Sequence, residues 1–88
     1  MGLDTVETVL WAEKEFKIDI PDADAAEILT VGQFSSYIHQ KLLLQKGFTA
    51  PPENKVFEKI KAFLVIQFDM KPEWITRDVE FIKDLGMG

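Results

Sequence analysis

The chain has 88 residues, 47% of them apolar and 28% charged, with a net charge of −5; this is the make-up of one small globular domain and not of a disordered chain. It contains no cysteine, which excludes disulfides, thiolate metal sites and a cysteine nucleophile, and no apolar run nears the roughly 20 residues that span a bilayer. Eight acids and two bases fall in residues 1–28, against seven acids and eight bases in the remainder. Acid gathered in the first third repels nucleic acid and suits a basic protein surface, or serves solubility alone. The start, Met1-Gly2-Leu3-Asp4, lacks the basic and apolar regions of a signal peptide, so a soluble cytoplasmic protein is the expectation.

The first segment, Leu3 to Phe16, reads as a helix. Asp4 and Glu7 stand in capping-box spacing, and Leu3, Val6, Leu10 and Phe16 recur at helical intervals, with Val9 beside them. The helix should fray at Lys17, because Ile18-Asp19-Ile20 leads into Pro21, which disfavours helix before it. A short acidic turn or helix follows, Asp22 to Ile28. Thr30 and Gln33 make a second capping box, and Val31, Phe34, Ile38 and Leu42 continue a helix over about 31–45, with Gly47 as its C-cap.

Residues 47–54 hold one glycine and two prolines and read as a linker, in which Thr49 is the expected cap of the next helix. That helix covers about 52–69, with Val56, Phe57, Ile60, Phe63, Leu64 and Phe68 at three- and four-residue spacing and lysines 55, 59 and 61 outside. Pro72-Glu73-Trp74 suggests a short turn. The tail, 76–88, reads as an ordered loop whose final Gly-Met-Gly frays. No strand alternation or repeat persists, so the fold class is all-α: a small antiparallel bundle of three longer helices and one short one.

Little chemistry is visible. His39 is the single histidine and has no evident nucleophile or second ligand near it in sequence. Asp19, Asp22 and Asp24 are spaced like the start of a calcium loop, but Asp24 and Thr30 stand where its glycine and glutamate belong. No metal site is assigned. Ser35 and Ser36, the two serines, fall inside the third long segment and read as solvated or lightly buried helical residues. An enzyme is not expected.

Two sets of short motifs resemble one family. Leu3-Asp4-Thr5-Val6-Glu7, Glu13-Lys14-Glu15-Phe16, Ile20-Pro21-Asp22, Ile28-Leu29-Thr30-Val31-Gly32 and Tyr37-Ile38 resemble the second half of an acyl carrier protein. Val56-Phe57 to Phe68, Met70-Lys71-Pro72-Glu73-Trp74-Ile75-Thr76 and Phe81-Ile82-Lys83-Asp84-Leu85-Gly86 resemble its first half. The single domain 1–88 then divides into 1–42, a connector 43–53, and 54–88, in circularly permuted order. Permutation is tolerated where termini lie close together at the surface.

The resemblance implies a phosphopantetheine arm on a serine at the helix start, where free N–H groups favour a phosphate. Counting back from Leu3 puts Gly2 at that serine and Met1 at the preceding aspartate. Gly2 has no hydroxyl, so no cofactor is expected. What the resemblance leaves is recognition: an acidic helix bearing Asp4, Glu7, Glu13 and Glu15 that meets the basic surface of an acyl-handling enzyme. Val9 and Leu10 either add apolar contact there or pack in the core, and Trp11 is either a core anchor or a docking residue. The alternative is a genuine acyl carrier of fatty-acid or polyketide metabolism, its serine lost by permutation, design or truncation; Met-Gly at both ends motivates it. A helix exchanged between two chains, giving a swapped homodimer, is a third arrangement.

Overall fold

The computed structural model describes residues 3–87. Four α-helices follow one another along the chain: α1 (Leu3–Phe16), α2 (Asp22–Ala26), α3 (Val31–Lys46) and α4 (Glu53–Phe68). Turns of 3-10 helix occupy Gly47–Thr49 and Pro72–Trp74, and an isolated antiparallel bridge joins Thr30 to Glu80. The all-α bundle expected from the apolar spacing is present.

Each boundary has a local cause. The α1 helix stops at Phe16 because Lys17 turns left-handed, φ +55°, and Pro21 lies ahead. The α3 helix opens on the Thr30–Gln33 capping box: Thr30 Oγ1 accepts the Gln33 N–H at 3.0 Å, and Gln33 Oε1 accepts the N–H groups of Thr30 at 3.1 Å and Leu29 at 2.8 Å. It closes on Gly47, φ +61°, a conformation open to glycine. The α4 helix lacks the expected Thr49 cap. Pro52 holds the N-cap position without a side-chain bond, while the Thr49 hydroxyl donates back to the Lys46 carbonyl at 2.7 Å. Asp4 likewise is no cap, since it lies within the first turn of α1.

One apolar core joins all four helices and the tail. Ile38 and Val31 of α3, Ile60 and Leu64 of α4, and Ala12 of α1 are fully buried, with Phe16, Ile20, Ile75 and Phe81 close to it. Of the stripe read from spacing, Phe16 is buried but Leu3, Val6 and Leu10 are 85%, 39% and 53% exposed, and the other inward residues are Thr5, Thr8 and Ala12. Threonine buries here because its hydroxyl is satisfied locally; that of Thr8 donates to the Asp4 carbonyl at 2.8 Å.

The tail is structural. A helix leaves its first N–H groups without partners, and the segment after the Pro72–Trp74 turn supplies them for α3. Val31 N–H donates to the Val79 carbonyl at 3.1 Å and Gly32 N–H to that of Arg77 at 2.9 Å. A Cβ on Gly32 would stand 2.7 Å from the Arg77 carbonyl oxygen, so only glycine admits this approach. The expected fraying of the end is not seen at Met87, which is 1% exposed and whose N–H donates to the Phe81 carbonyl at 2.9 Å.

Candidate functional site

The outward face of α1 and the loop that follows it form a groove of about 350 Å³. Val6, Val9 and Leu10 line it from the helix, and Ile20 and Pro21 from the loop; Glu13, Asp19 and Asp22 supply the acid. The groove exists because Glu13 folds the loop back: its Oε2 accepts the Ile20 N–H at 2.9 Å. Burying Ile20 in the core then fixes Pro21 and Asp22 beside the helix. Apolar walls with a carboxylate rim suit a partner segment that carries both apolar and cationic side chains.

The six candidate docking residues do not act as one set. Val9, Leu10 and Glu13 line the groove, Leu10 exposed and Val9 half-buried. Asp4, Glu7 and Glu15 do not line it. Glu7 accepts a hydrogen bond from Gln67 at 2.8 Å, and Glu15 pairs with Lys59 at 2.9 Å, which ties both to α4. Trp11 is half-buried and stacked on Phe63, ring centroids 4.3 Å apart, so it joins α1 to α4. Val6, which the spacing placed only in the apolar stripe of α1, also lines the groove. Its signal in the sequence was the weak inward pair Thr5 and Thr8 on the opposite face.

A second feature lies beneath the start of α1. Val9, Ile28, Phe34 and Phe81 line a mainly apolar cavity of about 100 Å³, with Thr5 and Thr8 at its wall. A closed apolar cavity of about 150 Å³ admits benzene. The space here therefore matches a short apolar group and not a long chain.

Neither serine is a free surface hydroxyl at a helix start. Ser36 is exposed inside α3, and Ser35 is fully buried, further in than its reading as a solvated or lightly buried residue. Its hydroxyl donates to Glu53 Oε2 at 2.7 Å, and one Arg77 guanidinium nitrogen reaches both Glu53 oxygens, at 2.9 and 2.6 Å. Partial burial, the largest effect, pushes the Glu53 carboxyl up; the Ser35 bond, then the Arg77 bond and charge, with His39, outweigh it and hold the group below the ordinary glutamate value. Tyr37 donates to Asp24 Oδ2 at 2.6 Å. Burial, that bond and the nearby Asp24, Asp19 and Glu13 charges push its phenol up from the ordinary 10.0. Gly2 and Met1, the positions expected to match the family's attachment pair, lie outside the described residues.

Comparison with known proteins bears on what such a bundle does. The match is to acyl carrier proteins. A mitochondrial acyl carrier protein of Schizosaccharomyces pombe is 58% identical over 37 residues, 42% of this chain and 33% of that protein. The acyl carrier protein of Porphyromonas gingivalis, in two strains, is 52% identical over 41 residues, 47% of this chain and 53% of that protein. The chain thus spans about half the length of the bacterial relatives and about a third of the yeast one. No family model matches the sequence, and no solved structure does. Similarity at this level supports an acyl-carrier-like protein, and those relatives are named as carriers. Among the described residues no helix is long and apolar enough to cross a membrane.

Proposed function

We propose that this domain is an acyl-carrier-like protein that is not phosphopantetheinylated and that works by docking on a basic surface of an acyl-handling enzyme. The groove of α1 carries the reading: Val6 and Leu10 are apolar side chains exposed on a helix, and Glu13, Asp19 and Asp22 rim them. A solvent-exposed apolar strip flanked by charge is the usual form of an interaction site. The chain's serines support the first half of the reading, because Ser35 is inaccessible and Ser36 sits mid-helix, away from any helix start.

The test is intact mass after incubation with coenzyme A and a phosphopantetheinyl transferase. The chain as it stands keeps its mass, whereas Gly2→Ser gains one phosphopantetheine. A gain on the unaltered chain would end the proposal. Docking is read separately, by the loss of binding to an acyl carrier protein's partner enzyme when Leu10 or Glu13 is replaced by lysine.

One observation favours a second reading, a genuine carrier. The apolar cavity of about 100 Å³ lies under the start of α1, where a group carried near that helix end would find apolar cover. In that reading the hydroxyl is the missing part and the rest of the site persists. Acylated phosphopantetheine on Gly2→Ser would then shift the amide resonances of Ile28, Phe34 and Phe81, and their silence would remove it.

A further inference from the structure

The end of α1, the end of α3 and the start of α4 meet around a cleft of about 220 Å³ that is separate from the acidic groove. Its floor is apolar: Phe16, Leu42 and Val56 are buried and Pro51 is half-buried. Around it stand four lysines, Lys17, Lys46, Lys55 and Lys59, all exposed, and one carboxylate, Glu15. Glu15 pairs with Lys59 at 2.9 Å, which leaves three ammonium groups of the cleft without an ion-pair partner among the described residues. On a chain of net charge −5 this is a local reversal of sign. Lys17 also occupies a left-handed backbone conformation, φ +55°, where a helix end ordinarily takes glycine. The Lys17 carbonyl accepts Gln45 Nε2 at 3.0 Å, which holds that residue against α3.

We infer that this cleft binds a phosphomonoester with a small apolar body. A phosphomonoester carries between one and a half and two negative charges, about −1.5 to −2, near neutral pH. It therefore offsets most of the excess positive charge, where a single carboxylate leaves most of it unmet. Lysine ammonium groups are mobile point charges on flexible stems and adapt to a tetrahedral oxyanion. The apolar floor then covers the body of the ligand, and a volume below the roughly 300 Å³ of common ligand pockets limits that body to about one ring or a short chain. A nucleic acid does not fit these limits, and the acidic first third of the chain repels it.

The experiment titrates the full 88-residue protein with phenyl phosphate, inorganic phosphate and benzyl alcohol, followed by amide chemical shifts. Phenyl phosphate should saturate, with shifts centred on Lys17, Lys46, Lys55 and Lys59, and bind about tenfold more tightly than inorganic phosphate. Lys46→Gln combined with Lys55→Gln should weaken it about tenfold or more, while Lys71→Gln, just before the Pro72–Trp74 turn, leaves it unchanged. Both lysines are exposed, so far-UV circular dichroism should show an intact fold in the double variant. Co-sedimentation with phosphatidate-bearing vesicles, lost in the double variant, would support the same chemistry and place the phosphate on a lipid headgroup. Absence of saturation together with no vesicle binding overturns the inference. So does equal weakening by Lys71→Gln, or ligand-free self-association abolished by the double variant, which would mean that a second copy's carboxylates fill the cleft. None of these outcomes touches the docking proposal, whose groove is formed by α1 and the segment after it, outside the cleft.

Discussion

Ser35 is fully buried in α3, and its hydroxyl, the Glu53 carboxylate and the Arg77 guanidinium form a chain that ties α3, α4 and the tail together. A buried hydrogen bond to a charged group contributes about 1.5–3 kcal/mol, so Ser35→Ala should destabilise by about 2 kcal/mol in urea unfolding. The same chain sets an acid dependence. Because the folded-state value for Glu53 is depressed, its contribution is present above the ordinary glutamate value of 4.5 and is lost as pH falls through the lower folded value. Glu53→Gln should therefore be less stable than the parent at pH 6 and converge on it at lower pH, as followed by thermal melts across that range. An equal deficit at every pH would show that the carboxylate's charge plays no part. Helical spacing separates the two serines, since Ser35 stands four residues after Val31 and three before Ile38, on the buried stripe of α3, and Ser36 does not. What the spacing does not supply is the partner of the buried hydroxyl: Glu53 is 18 residues away, and a contact of that span leaves no periodic trace.

At the level of helices, the sequence was most legible where the signal is local. The Thr30–Gln33 capping box, the Gly47 stop and the Val56–Ile60–Leu64 stripe all appear as read, because each depends on residues within one or two turns. Thr30→Ala should accordingly cost about 1 kcal/mol, measured as a lowered urea midpoint with an unchanged slope. The face of α1 was misread for a definable reason. Periodicity finds an apolar stripe but does not say which side the neighbours occupy, and here they occupy the side made of Thr5, Thr8 and Ala12. Two substitutions decide between the faces. Leu10→Glu, on the exposed side, should change stability by less than about 0.5 kcal/mol. Ala12→Leu, at a fully buried position, should overpack the approach of α1 and cost about 1–3 kcal/mol. The reverse result would restore the sequence-based assignment. The groove was half legible for the same reason: Val9, Leu10 and Glu13, candidates from the sequence, line it, and so does Val6, which the spacing placed only in the apolar stripe.

Across the whole molecule, the segments 3–42 and 54–87 share a single core, with Ile38 and Ala12 from one and Ile60 and Leu64 from the other. Their radius of gyration together, 12.2 Å, is that of a compact chain of this length, about 12 Å. A domain this small has little stability to spare, of order 5 kcal/mol, so neither segment has the apolar surface to persist once the other is lost. The tail strengthens the coupling, since its carbonyls satisfy the first N–H groups of α3. Unfolding should therefore be one transition. The chain provides a probe in each segment: Trp11, stacked on Phe63, and Trp74, about half exposed on the turn after α4. Trp74→Phe leaves only the first probe and Trp11→Phe only the second. In each variant the fluorescence midpoint should coincide with that variant's own circular-dichroism midpoint. Ile60→Ala, made at a fully buried position, should cost about 2–5 kcal/mol and lower both signals together. Separate midpoints for Trp11 and Trp74 would mean that the segments fold as independent units. A domain built that way would open at the junction of α3 and α4, which is also where exchange of a helix between two chains would have to begin.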